Sequence, residues 1–318
     1  MLNQVQKYKQ MSIQSIVQQY HPSKKLLLLI GLFLVWLGVA SIVQVLIILP
    51  FTDLKSISNL DFTNPKIINA MKMGQAVSAI LAFIVPTMLF AYMSSEKKFA
   101  YLKLNNGFSM ILGLATVILV FAAMPVINWT GELNSHLTLP SFMSGLENWI
   151  KSSEESAKKI MDTFLQMNGI TDLIVNIIII ALLAAVGEEL LFRGCMQNVF
   201  LEWTKNKHIA VWITAILFSA LHAQFYGFLP RMLLGVVLGY LYIWSGSLWL
   251  SMLFHFLNNG MAVFISYLIG KGSISEKAET IGSGDTPIYF VALSVVICAG
   301  LMYVIYKNRK TEPLAISH

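Results

Sequence analysis

The sequence predicts an all-α, polytopic membrane helical bundle of about eight transmembrane helices with both termini in the cytoplasm. Three observations predict it. Of 318 residues, 56% are apolar and only 12% charged, about half the charge of an average soluble domain. The apolar residues gather into runs near the roughly 20 residues that cross a hydrocarbon core. Lys and Arg are shared unequally between the two sets of connections. A soluble fold could not hide this much apolar surface, so soluble enzymes and disordered chains are disfavoured. Two cysteines, Cys195 and Cys298, are too few for a disulfide framework or a cysteine zinc cluster. The formal charge of +6 is dispersed, which reads as loop charge and not as a nucleic-acid footprint.

The runs are Leu26–Leu49, Gln75–Met93, Phe108–Ile127, Leu173–Phe192, Ile209–Phe225, Phe228–Trp244, Ser247–Ile269 and Ile288–Tyr306. None alternates over a strand length, which disfavours a β-barrel. The first run is too long and begins too late for a signal peptide, so it is read as a true span. The segment before it, with Val5, Tyr8, Ile13, Ile16, Val17 and Tyr20, is either a weak interfacial helix or a loose polar tail. With the amino terminus inside, inner segments hold 13 of the 22 basic residues and five acids, and outer segments nine bases and eleven acids. The positive-inside rule therefore puts both termini in the cytoplasm. Residues 1–25 then form one cytoplasmic tail, 26–306 a single membrane-embedded domain and 307–318 a second tail. The long outer connection from Asn128 to Asp172 carries Leu146, Trp149, Ile150, Ile160, Met161, Phe164 and Leu165 at helical spacing. An amphipathic helix there lies on the outer surface or covers the bundle.

A charge inside a span costs about 2.5–3.5 kcal/mol on insertion scales, so each such residue needs a reason. The candidates are Glu188, Glu189 and Arg193 on the fourth run, His222 on the fifth, and His255 with Asn259 on the seventh. Neighbours on a helix point about 100° apart, so the two glutamates have different tasks. Glu189 stands four residues before Arg193, the favourable order for a helical ion pair. Glu188 has no such partner and is the better candidate for chemistry. Glu188 and His222 are equidistant from Lys205 in the polar turn between their runs. An antiparallel hairpin would place both at one height, roughly 25 Å from that turn. His255 and Asn259 share a helical face, with His255 about 12 Å into their span.

A buried carboxylate beside an imidazole can take a proton from water, and a second imidazole with an amide can donate to an oxyanion. These are the parts for hydrolysing an amide. Glu188, His222 and His255 are also a three-ligand set for zinc, although no His-Glu-x-x-His is present. Spacing does not choose between Glu–His and metal activation, so the cofactor stays open between none and Zn. A proton-coupled transporter and a non-catalytic immunity or scaffold protein are the alternatives. Each histidine alone could merely bond a neighbouring helix; all three segments together are harder to explain by packing.

At these residues the sequence resembles the CPBP family of intramembrane proteases, related to the CAAX prenyl endopeptidases. The motifs are Glu188-Glu189-Leu-Leu-Phe-Arg193, Phe218-Ser-Ala-Leu-His222 and His255-Phe-Leu-Asn-Asn259. The stretches Arg231 to Gly239 and Ser245 to Trp249 also look typical, and the protease-like core spans 170–262. The resemblance implies an intramembrane endopeptidase, of glutamate or metallo type, in the cell membrane and open to the cytosol. Its substrate would be a membrane-associated peptide or protein. Glu188 with His222 would activate water, His255 and Asn259 would stabilise the oxyanion, and Glu189 and Arg193 would support them.

Overall fold

Helices dominate because a chain in lipid must satisfy its backbone hydrogen bonds within itself. The structure, a computed structural model, describes residues 13–53, 56, 57 and 60–310. Tail residues 1–12 and 311–318 lie outside the described residues. Among those described, nine principal helices follow a short one at Ile13–Gln18. They are α1 (Pro22–Phe51), α2 (Pro65–Ser94), α3 (Met110–Ser135), α4 (Ser144–Leu165), α5 (Ile170–Thr204), α6 (Lys207–Ala220), α7 (Phe228–Ser245), α8 (Leu248–Gly270) and α9 (Ile288–Lys307). Seven are long and apolar enough to cross a membrane; α6, with 14 residues, is shorter, and α4 is amphipathic. The chain is thus a multi-pass helical membrane bundle. Its outer helices leave Leu34, Val35, Ile42 and Leu46 of α1 and Leu293, Val296 and Tyr303 of α9 exposed, as a lipid-facing surface requires.

The fifth apolar run does not stay helical to Phe225. α6 ends at Ala220, and Ala223 takes a left-handed conformation at φ 51°. His222 consequently sits in a turn beyond the helix. The reason is tertiary. The buried Asn134 of α3 donates to the Phe225 carbonyl at 2.7 Å and accepts from Leu229 N–H at 2.7 Å. Those two bonds hold residues 225–229 against the end of α3. The turn between α5 and α6 is set locally, by Lys205 in the left-handed region and by Asn206, whose side chain caps His208 and Ile209.

α6 and α7 pack with small residues at their crossing. A Cβ on Gly235 would lie 3.1 Å from Ala215 Cα and 3.3 Å from Phe218, and one on Gly239 would lie 2.9 Å from Val211. This is the small-xxx-small contact that lets membrane helices approach closely. Gly235→Ala is expected to destabilise the bundle by about 1–3 kcal/mol through overpacking against backbone. Thermal unfolding in detergent would read this as a lowered Tm.

The bundle has two distinct ends. At one end lie both described chain ends. There Asn106 donates to the Gly246 carbonyl at 2.9 Å, Lys310 N–H to the Trp244 carbonyl at 2.9 Å, and Lys25 pairs with Glu202 at 2.8 Å. This is the terminal end of the bundle. At the opposite end, α4 covers the bundle. Its Phe164 is buried against Ile67, Ala70 and Met71 of α2, and the Phe164 carbonyl accepts from Asn176 at 2.5 Å. The sequence left α4 between a surface helix and a cover. It covers, although Trp149 and Phe142 remain exposed.

Candidate active site

Glu188 and Glu189 occupy an α-helical turn of α5 with π-helical turns on either side, Ile177–Leu183 and Leu190–Gln197. Such wide turns rotate the side chains that follow and recur at functional sites. Gly187 lets α5 touch α2, since a Cβ there would lie 2.9 Å from Phe83 Cβ.

The two glutamates face different surroundings. Glu189 is fully buried. One of its oxygens, Oε1, accepts from Arg193 at 2.5 Å and from His255 Nδ1 at 2.9 Å. Arg193 also donates to the Gly235 carbonyl at 3.1 Å. Glu188 keeps 17% of its side-chain exposure, enough to meet water. Its Oε2 lies 4.0 Å from His222 Nε2 and 3.8 Å from His255 Nε2.

Both imidazoles are oriented from behind. His222 Nδ1 lies 2.7 Å from the Phe218 carbonyl. A carbonyl only accepts, so Nδ1 carries a proton and Nε2 is turned to Glu188. His255 Nδ1 is committed to Glu189 in the same way. The Phe218 ring contacts both imidazoles edge-on, at 5.0 and 6.0 Å between centroids, and carries the Arg193 guanidinium 4.6 Å above it. One aromatic side chain therefore braces Arg193 and both imidazoles, while Glu189 reaches past it to His255 directly.

Asn259 donates to the Ile180 carbonyl at 3.3 Å and lines the same cavity as Glu188, His222 and His255. The structure thus brings all four candidates to one cavity of about 480 Å³. His21 and His208 lie elsewhere, bonded to Ser23 and Tyr240.

Sequence reasoning missed three contributors. The Glu189–His255 contact joins residues 66 apart. Asn134 fixes the segment after His222. Arg231 donates to the Gln224 side chain, and to its carbonyl at 3.4 Å, in the cavity wall. Arg231 stood in a stretch noted only as typical, and Asn134 has no local signal. Asn134→Ala is expected to lose about 1–3 kcal/mol, because the part-buried Phe225 carbonyl and Leu229 N–H lose their partner. Unfolding of the variant against wild type would measure it.

The zinc set named from sequence can be tested on its donor atoms. Tetrahedral zinc holds ligand atoms at about 2.0–2.2 Å, hence roughly 3.3 Å from one another. The separations of 3.8 and 4.0 Å at Glu188 are wider. Among the described residues no group of three His, Cys, Asp or Glu side chains is arranged to hold a metal ion. Glu188, His222 and His255 do not form a zinc set in this arrangement, so the metallo label is not supported.

The cavity also has a direction. On α8 its wall runs from His255 through Asn258 and Asn259 to Val263, away from Leu248 at the terminal end. On α7 it uses Pro230, Arg231 and Leu234, the end remote from Ser245, with Gly227 just before the helix. Met161 and Leu165 of α4 complete it. On the terminal side lie the buried Glu189, Phe192, Arg193, Leu238 and Ser251. The cavity therefore leads away from the termini.

Fold and site together define a polytopic membrane bundle with an intramembrane Glu–His–His–Asn cluster. Residues 170–261 match the family model described as Rce1-like, Type II CAAX prenyl endopeptidase Rce1-like. The resemblance to the CPBP family holds over this segment, which contains every residue of the cluster. The chain is 34% identical over 86 residues to the uncharacterized protein YpbD of Bacillus subtilis (strain 168), covering 26% of this chain and 41% of that protein. It is 35% identical over 105 residues to an uncharacterized 24.3 kDa protein of Escherichia coli, covering 31% and 48%. The chain thus spans less than half the length of either relative. No solved structure matches it.

Proposed function

We propose that this protein is an intramembrane endopeptidase that hydrolyses a peptide bond of a membrane-associated peptide or protein. One observation carries the reading. Two imidazole Nε2 atoms converge on a single oxygen of Glu188, at distances too long for a direct hydrogen bond and short enough to share one water. The family match over 170–261 supports the same reaction class.

In this mechanism Glu188 takes a proton from the water, with His222 Nε2 holding it, and the hydroxide adds to the scissile carbonyl. The tetrahedral oxyanion is met by the Asn259 amide and by His255. With Nδ1–H committed to Glu189, His255 donates through Nε2–H in its doubly protonated form. Collapse breaks the C–N bond, and the proton held on Glu188 passes to the leaving amine. Each group does work that deepens as charge develops, which is where rate is gained.

A transporter would need a path through the bundle, whereas buried side chains lie on the terminal side of this cavity. The matched relatives are uncharacterized, so prenylated CAAX proteins are not carried over as the substrate. The test is a comparison of membrane-protein fragments, by mass spectrometry, from cells expressing wild type or Glu188→Gln. New peptide termini present with wild type alone are expected. Identical fragment sets would end the protease reading.

A further inference from the structure

The direction of the cavity bears on which polypeptides could reach it. The described loops and helix ends at the terminal end together carry ten Lys and Arg residues, among them Lys97, Lys98, Lys205 and Lys310, against the acids Glu96 and Glu202. Connections at the opposite end carry eleven acids, more than their bases. Short basic connections stay in the cytoplasm. The terminal end is then cytoplasmic, and the end covered by α4 is external.

Three features place the mouth at the α4 end. First, every wall residue on α7 and α8 lies at or beyond the level of His255 on the side remote from the termini. Second, the wall segment 224–231 is tied to α4 and to the end of α3. Tyr226 N–H donates to Glu154 at 3.0 Å, its hydroxyl to Glu147 at 3.4 Å, and Asn134 bonds Phe225 and Leu229. Third, the cytoplasmic side is filled by the Glu189–Arg193 pair, both fully buried, together with Phe192 and Phe218. Opening that side would expose an intramembrane ion pair and unpack the helix crossing at Gly235.

We infer that the site is served from the extracytoplasmic side, and that its substrates are exported polypeptides whose scissile segment enters beside α4 from the outer face. The inference rests on the protease reading for the word substrate, but the side of access does not depend on it. The reaction that must supply such a substrate is translocation across, or insertion into, the membrane. Cytosolic proteins that merely touch the inner leaflet would not reach Glu188.

Cysteine labelling of the full-length protein tests this without any substrate. Cys195 is buried and can stay; Cys298 is replaced by Ser. Single cysteines are placed in the cavity wall (Gln224→Cys), at the adjoining exposed end of α3 (Ser135→Cys), and at the terminal end (Lys97→Cys and Lys205→Cys). Spheroplasts are treated with a membrane-impermeant sulfonated maleimide, before and after permeabilisation. The first two variants should label to the same extent in both conditions, and the last two only after permeabilisation. The reverse pattern, or Gln224→Cys labelling only after permeabilisation, would overturn the inference. If Gln224→Cys misfolds, Tyr226→Cys at the same rim gives the same reading. A failed protease reading shows instead as unchanged fragment sets with the labelling pattern intact.

Discussion

Glu188→Gln is expected to lower peptide-bond cleavage by about 10²–10⁴-fold or more, the range lost with a general base, while leaving the fold unchanged. The substitution keeps shape and removes the one group positioned to take a proton from water between two imidazoles. Its structural cost is small. Among the described residues, no ion-pair partner of the Glu188 carboxylate is closer than His255 at 3.8 Å, and the side chain retains contact with solvent. Replacing an ionised group in a half-buried cavity by a neutral amide relieves desolvation, so the Tm should hold or rise slightly. Purified wild type and variant, compared for turnover of a trapped substrate and for thermal unfolding, separate the two effects. Wild-type turnover by Glu188→Gln would remove Glu188 from the mechanism, and a collapse of Tm would make its role structural.

What the sequence revealed follows from what is local. Seven spans were legible because hydropathy sums over a single segment, and the end of α5 and the start of α6 because Lys205 and Asn206 punctuate the chain themselves. The end of α6 was not legible. Apolar residues run on to Phe225, and the helix stops at Ala220 because Asn134, on another helix, captures the following segment. The site residues could be chosen because ionisable groups in apolar runs are few. Heights could be estimated by counting residues from shared turns, and Glu188 and His222 do meet. Rotation could not be counted, since the π-helical turns of α5 change the angular register. Nor does any one-dimensional count say which side of a cavity is filled. That depends on Phe192, Phe218 and the buried pair closing together, a property of packing between α5 and α6.

Glu189→Gln should behave differently from its neighbour, losing both stability and rate. Breaking a buried ion pair from one side costs about 3–5 kcal/mol, because the remaining charge has nowhere to be solvated. Here that charge is Arg193, fully buried and left with the Gly235 carbonyl and the Phe218 ring. The rate should fall by roughly 10–100-fold, the usual effect of removing a partner that orients a working imidazole, because His255 Nδ1 loses the carboxylate that aims Nε2 at Glu188. A double substitution separates the two roles. Glu189→Gln with Arg193→Met removes the stranded charge and supplies apolar volume, so most of the lost Tm should return. The rate should stay low, since nothing restores the hold on His255. Recovery of rate together with stability would make Glu189 a purely structural anion. A rate that stays low in a refolded, stable bundle would tie the buried pair to the histidine's orientation, linking the Glu-Glu-x-x-x-Arg spacing on α5 to the chemistry on α8.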